Sequence, residues 1–189
     1  MADTQSSKPL VLDADGTFLR TDMLLEGIWK GFGTDPAATV RAFALVGARP
    51  AFKAEIARIA PLRVDLLPVN ESIAAMAVDA RDAGREVAIA SASDMSLVRP
   101  LADHYGIERV FASENGVNLK GAAKADALVA AYGEAGFDYA GNDKSDRAVW
   151  DHSDGAIVVG AAGGAAKGLS NVTHVDDRWS SRAVLKAMR

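Results

Sequence analysis

Short apolar runs alternating with helical segments constrain this chain more than any other feature. LVL (10–12), VAIA (87–90), RVFA (109–112), FDYA (137–140) and AIVV (156–159) are short and largely apolar, with a few polar residues inside them. Between them, apolar residues recur at helical spacing. Strands of this kind belong to parallel sheets covered on both faces. The alternation predicts an α/β fold: a Rossmann-like parallel sheet sandwiched by helices. VTHV (172–175) reads as an edge strand, and Ser181 to Met188 as a closing helix. The 189 residues suit one domain or a domain with an insertion.

An insertion is visible after the first strand. Leu24, Leu25, Ile28, Trp29 and Phe32 follow helical spacing. Val40, Phe43 and Ala44 do so in the next segment, and Phe52, Ile56 and Ile59 in the one after. Pro36 and Pro50 mark two of the helix starts. A small helical cap is therefore predicted over 23–67, with the core domain formed by 1–22 and 68–189. Asn70 then reads as an N-cap, with Ile73, Met76, Ala77 and Ala80 on one helix face and Gly84 at its end.

Parallel sheets present ligands at the carboxyl ends of their strands. The residues at those ends are Asp13 and Asp15, Ser91, and the group Asn142, Asp143 and Asp146. The first pair sits in PLVLDADGTFLRTD (9–22). In an extended chain residues i and i+2 point the same way, so both carboxylates would enter one pocket. Gly16 lets the backbone turn behind them. Two carboxylates held close resist ionising together, which calls for a proton or a metal between them. With oxygen ligands and no histidine or thiolate nearby, Mg²⁺ is the metal that fits.

Composition narrows the chemistry further. The chain has no cysteine, which removes disulfides, thiolate nucleophiles and cysteine zinc sites. His104, His152 and His174 show no metal-ligand spacing. A net charge of −4 argues against a nucleic-acid or anionic-membrane surface. No segment approaches the ~20 apolar residues of a membrane span. The N-terminal MADTQSSK lacks the pattern of a signal or transit peptide, so the expected location is cytoplasmic, at a membrane only through a partner or fused domain. GAAGGAAKG (160–168) fails as a phosphate loop, because Ala166 rather than glycine precedes Lys167.

LVLDADGTFLRTD resembles the first motif of the haloacid dehalogenase (HAD) superfamily of phosphohydrolases. VAIAS, ending in Ser91, resembles the second motif, Lys124 in KGAAKADAL the third, and YAGNDKSD (139–146) the fourth. The helical insertion resembles the small cap that part of this superfamily carries. The stretches LLEG, FKAEIA, LPVNESI, ASASD, NLKGAAKADALV and FDYAGND are similar to the HAD domain fused ahead of UbiA-type membrane prenyltransferases.

The resemblance implies a Mg²⁺-dependent phosphatase acting through an aspartyl-phosphate. Asp13 is then the nucleophile and Asp15 the general acid and base. Ser91 and Lys124 bind the transferring phosphoryl group, with Gly16, Thr17 and Ala92 beside them. Asp13, Asp15, Asn142, Asp143 and Asp146 are the implied metal set. Asn142 departs from the pattern, which places aspartate there, and a neutral amide should weaken the metal. The implied substrate is a small phosphate ester, and the fused-domain similarity suggests a polyprenyl-linked one.

Read singly, these residues have plainer roles. Ser91 or Ser93 would cap the next helix, Lys124 is no better a candidate than Lys120, and Asp143 and Asp146 suit a helix N-terminus. Two alternatives follow. One is a weakly catalytic or non-catalytic module supporting a membrane prenyltransferase. The other is a phosphoryl-accepting receiver domain, disfavoured by the long insertion and the D-x-D-G-T spacing.

Overall fold

The computed structural model describes residues 7–160 and 162–176. The closing helix predicted over Ser181 to Met188 lies outside them. Six strands form one sheet: β1 (Leu10–Asp13), β2 (Val87–Asp94), β3 (Arg109–Ser113), β4 (Asp138–Gly141), β5 (Gly155–Val159) and β6 (Val172–Val175). Every pairing is parallel, in the order β3-β2-β1-β4-β5-β6. VTHV does form an edge strand.

The helices are α1 (Met23–Thr34), α2 (Pro36–Ala42), α3 (Arg49–Ile59), α4 (Glu71–Asp82), α5 (Met95–His104), α6 (Ala122–Tyr132) and α7 (Arg147–Trp150). The period-2 pleat sorts the strand residues onto two faces. Leu10, Leu12, Ile89, Ala140 and Ile157 pack with Ile73 and Ala77 of α4 and Leu97 and Leu101 of α5. Val11, Ala88, Ala90, Tyr139 and Val158 pack with Ala125 and Leu128 of α6 and Val149 and Trp150 of α7. Each apolar strand is thus covered twice, as its composition requires.

Asn70 is fully buried, and its side chain accepts from Ser72 N at 3.2 Å, capping α4. Strand β2 runs four residues further than VAIA, to Asp94, because SASD remains extended beside β3. The glycine-rich stretch after β5 contains a short 3₁₀ turn at Ala162–Gly164 and seats the buried Ala166 against the sheet.

Helices α1, α2 and α3 form a segment between β1 and α4. It has its own core of Ala38, Ala42, Phe52, Ile56, Ile59 and Ala60. The helical spacing of α1 is as expected, but of its predicted apolar stripe only Leu24 and Ile28 pack against that core, and both are only partly buried. Gly27 and Gly31 face inward instead: a Cβ on Gly27 would lie 2.8 Å from Ile56 Cγ2, and one on Gly31 2.6 Å from Thr39 Oγ1. The glycines let α1 lie close on α2 and α3. Leu25, Trp29 and Phe32 consequently stay exposed, as do Val40 and Phe43. Trp29, Phe32, Phe43 and Phe52 follow one another with ring centroids 6.5, 6.5 and 5.3 Å apart.

The strand order reverses direction at β1, where the connections pass from one side of the sheet to the other. A crevice opens at the carboxyl ends of β1 and β4 at such a point. Asp13 ends β1, and Asn142 follows β4 directly.

Candidate active site

Asp13 lies on the same face of β1 as Val11, the face covered by α6. Lys124, in the first turn of α6, is buried on the same side as Ala125 and Leu128. Its ammonium donates to Asp13 Oδ1 at 2.6 Å and to the Tyr139 hydroxyl at 2.8 Å. Tyr139 donates in turn to Asp146 Oδ1 at 2.8 Å, and Lys124 Nζ lies 3.7 Å from that oxygen. Asp13, Lys124 and Asp146 are each less than a tenth exposed, so this is a buried ionic network.

Burial pushes Asp13 up to about 7 against the pull of Lys124, with Asp146 adding repulsion. For Lys124, burial favours the neutral amine, but Asp13 and Asp146 outweigh it and the net shift is upward. Burial and the same two carboxylates hold the Tyr139 phenol well above its usual range, so it stays a donor. Tyr139 is absent from the sequence reading. The pleat could have found it: Tyr139 pairs with Val11 and shares the face of Asp13, two residues up the strand.

Asp15 has different partners from Asp13. The chain leaves the strand after Asp13, so the extended geometry expected for D-x-D does not hold. Asp15 Oδ1 accepts from Met23 N at 2.8 Å, at the start of α1. Its Oδ2 accepts from Ser93 Oγ at 2.7 Å and Ser91 Oγ at 3.3 Å. Burial raises its pKa, opposed by the hydrogen bonds from Met23 and Ser93. Repulsion between Asp13 and Asp15 is a minor influence on Asp13, behind burial, Lys124 and Asp146.

Ser91 is fully buried: its Oγ contacts Asp15 and accepts from Ser93 N at 3.0 Å. Ala92 and Ser93, not Ser91, line the cavity. Ser91 and Ser93 are i and i+2 on an extended strand, and that spacing was the available sign that both face one way.

The loop after β4 is organised by Asp146. Its Oδ2 accepts from Asn142 N at 3.0 Å and Asp143 N at 2.9 Å. Gly141 makes room, since a Cβ there would lie 2.6 Å from Asp146 Oδ2. Asp143 Oδ1 accepts from Ser145 N at 2.7 Å, which completes a reciprocal capping box with Asp146. Both oxygens of Asp146 are therefore engaged within the protein, in contrast to the metal-ligand role the sequence reading gives it.

Asn142 lies against the backbone of Gly16, which has φ +77. A Cβ on Gly16 would fall 2.2 Å from Asn142 Nδ2. Buried Thr17 places its Oγ1 3.4 Å from Asp13 Oδ2 and 3.2 Å from Asn142 Oδ1. Those two oxygens thus converge on one hydroxyl.

The donor chemistry suits a hard cation. Asp13 Oδ2, Asn142 Oδ1 and the second oxygen of Asp143 are the oxygens available, the rest of the shell being left to water, as Mg²⁺ prefers. Among the described residues no group of three or more histidine or acidic side chains is assembled for a metal. The set is two carboxylates and one amide.

These groups line a cavity of about 500 Å³ between the sheet ends and the inserted helices. Asp13, Asp15, Gly16, Ala92, Ser93, Lys124, Asn142, Asp143 and Asp146 form its core side. Leu24, Arg49 and Lys53 come from α1 and α3, and Arg20, Asp22, Asn118 and Lys120 from flanking loops.

Comparison with solved structures bears on the fold. The chain superposes on a phosphoserine phosphatase described as a phospho-aspartyl intermediate analogue with a TM-score of 0.62 and 13% identity, over 97% of this chain and 99% of that one. It superposes on a HAD family hydrolase from Salmonella enterica serovar Typhi with a TM-score of 0.62 and 14% identity, over 89% and 68%. The cobalt-bound deoxy-D-mannose-octulosonate 8-phosphate phosphatase of Haemophilus influenzae matches with a TM-score of 0.56 and 14% identity, over 96% and 86%. At such identities the likeness establishes the fold, that of HAD phosphatases. The uncharacterized protein y4nM of Sinorhizobium fredii is 32% identical over 154 residues, 80% of this chain. The chain spans 30% of that relative's length. No family model matches the sequence. No helix among the described residues is long and apolar enough to cross a membrane.

Proposed function

We propose that this protein is a Mg²⁺-dependent phosphomonoesterase that works through an aspartyl-phosphate on Asp13. The observation that carries the reading is the buried Asp13–Lys124 pair at the switch point of the sheet, facing a cavity whose wall also holds Asp15.

Each residue has a task in this reading. The Asp13 carboxylate attacks phosphorus, and the bond from phosphorus to the leaving oxygen breaks. Lys124 is hydrogen-bonded to Asp13 and offsets negative charge building on the phosphoryl oxygens. Asp15, whose burial favours the protonated form, gives its proton to the leaving oxygen. The resulting carboxylate takes a proton from water, which attacks phosphorus and breaks the bond to Asp13. Phosphate leaves and both aspartates are restored. Ser91 and Ser93 orient Asp15, and α1 holds its other oxygen through Met23 N. Asp13, Asn142 and Asp143 would hold Mg²⁺, which screens the charge between nucleophile and phosphate. The cap role of 23–67 belongs to this reading: α1 and α3 roof the cavity and contribute Leu24, Arg49 and Lys53.

The test is phosphate release from p-nitrophenyl phosphate by the wild type and Asp13→Asn, with Mg²⁺ and with chelator. Turnover requiring both Asp13 and the metal supports the reading, and an undiminished rate in Asp13→Asn overturns it.

A second reading is favoured by the exposed stripe of Leu25, Trp29 and Phe32 on α1. Apolar surface of this kind suits association with another protein or a fused domain, and the much greater length of the Sinorhizobium relative is compatible with that. In this reading the domain supports a membrane prenyltransferase, and a polyprenyl-linked phosphate is the matching substrate. Failure to co-elute with such a partner would count against it.

A further inference from the structure

The phosphatase chemistry uses Lys124, yet the cavity has more cations than one phosphate needs. Arg49 and Lys53 project from α3, and Lys120 from the loop before α6, all lining the same space as the reacting carboxylates. They come from opposite sides of the cleft and are distant in sequence, so the tertiary fold alone gathers them. The side chains of Arg49 and Lys120 make no ion pair or hydrogen bond among the described residues, and both residues are exposed toward solvent. Lys53 is half-buried, and its ammonium rests on the carbonyl oxygen of Ala92, a neutral acceptor at the end of β2.

Gathering three cations is unfavourable, and the Asp143 carboxylate near Lys120 offsets only part of it. The Lys53 ammonium bears this out: burial lowers its pKa, Asp15 and Asp22 oppose the fall, and Lys120 and Arg49 repel it further. The acids on the cavity floor are largely committed. Asp13 is paired with Lys124, Asp146 holds the loop after β4, and Asp22 caps α1 through Leu25 N. An anion in the rim would relieve the repulsion and give each cation a charge-assisted hydrogen bond.

Resting on the phosphatase reading, we infer that the substrate carries a second phosphoryl group, bound by Arg49, Lys53 and Lys120 while the scissile one faces Asp13. A cavity of about 500 Å³ has room for a small bisphosphate such as a sugar with phosphates at both ends. Three separate donors suit a tetrahedral phosphate better than a carboxylate, which presents only two oxygens.

The test compares substrates that differ by one group. Values of kcat/KM are measured for fructose 6-phosphate against fructose 1,6-bisphosphate, and for glycerol 3-phosphate against 3-phosphoglycerate. The expected preference for the bisphosphate is about 10- to 100-fold, carried mainly by KM. Arg49→Ala with Lys120→Ala should collapse that ratio toward one, and Arg49→Lys with Lys120→Arg should retain most of it. Both positions are exposed, and a thermal melt checks that the variants fold. Equal rates for mono- and bisphosphate, or a preference confined to the carboxylate pair, would overturn the inference.

A separate arm keeps the two readings apart. Calorimetry on Asp13→Asn measures binding of the same two fructose phosphates without turnover. If the wild type hydrolyses nothing but Asp13→Asn binds the bisphosphate more tightly, through Arg49 and Lys120, the phosphatase reading fails and the anion site stands. If p-nitrophenyl phosphate is hydrolysed through Asp13 but the bisphosphate is not favoured, the reverse holds.

Discussion

Lys124 Nζ sits 2.6 Å from Asp13 Oδ1, with both groups nearly sealed from solvent. A buried pair of this kind is costly to break, because the remaining charge has no water to turn to. Lys124→Met should therefore lower the melting temperature as well as phosphate release. Loss of one charge at the reacting centre should lower kcat by ~10²-fold or more. A thermal melt and the p-nitrophenyl phosphate assay check the two effects.

The protonation of Asp13 couples stability to pH. Its pKa is raised to about 7 in the fold, from the ordinary carboxyl value of 3.8. The folded state therefore holds a proton that the unfolded chain has released between those two values. Stability from this group is present below about pH 4 and declines as pH rises toward 7. Asp13→Asn cannot ionise and loses this dependence. The melting temperature of Asp13→Asn minus that of the wild type should thus rise between pH 5 and pH 7.5. A flat or falling difference would contradict the burial argument.

Gly16 is held at φ +77 with no space for a side chain. Gly16→Ala must place a Cβ 2.2 Å from Asn142 Nδ2 or displace that amide. Left-handed backbone costs a non-glycine residue ~1–2 kcal/mol before any clash. The variant should be destabilised by at least that much in urea, and its Mg²⁺ requirement should rise because Asn142 has moved.

Asn142→Asp tests the metal set directly. The added charge would face Asp13 Oδ2 across the Thr17 hydroxyl. Without metal the extra carboxylate should lower stability. With Mg²⁺ it should tighten the cation by roughly tenfold, a modest return for one charged oxygen ligand. Melting temperatures with chelator and across a Mg²⁺ titration report both signs.

Tyr139→Phe removes the donor between Lys124 and Asp146 while keeping the ring in the core. The loss should be ~1–3 kcal/mol, because Asp146 Oδ1 then keeps only the more distant ammonium. Activity should fall less than in Lys124→Met, since Asp13 retains its partner.

The fold was legible because its signal is local. Apolar strands spaced by helical segments admit few arrangements other than a doubly covered parallel sheet, and VTHV took the edge it was expected to take. Asp13 and Lys124 were legible through motif order, and the face that each element buries bears on both. Tyr139 has no role in the sequence reading and Ser93 only that of a helix cap, although the pleat places each beside a residue assigned to the site. Asp146 was read as a metal ligand because an acid near a strand end suggests one. Only the tertiary structure shows that one of its oxygens accepts from the Asn142 and Asp143 amides and the other from the Tyr139 hydroxyl.

The sequence by itself determined the strands, the faces they bury and the position of the two aspartates, since these follow from periodicity along a few residues. It could not determine which partners the carboxylates meet. The chain turns after Asp13, so Asp15 joins Ser91, Ser93 and α1 rather than its neighbour. Nor could it tell that α1 buries its glycines and leaves Trp29 outside, because close helix packing depends on what α2 and α3 present. The cation rim was decided by tertiary structure alone: Arg49, Lys53 and Lys120 share a cavity only because α3 folds back over the sheet ends.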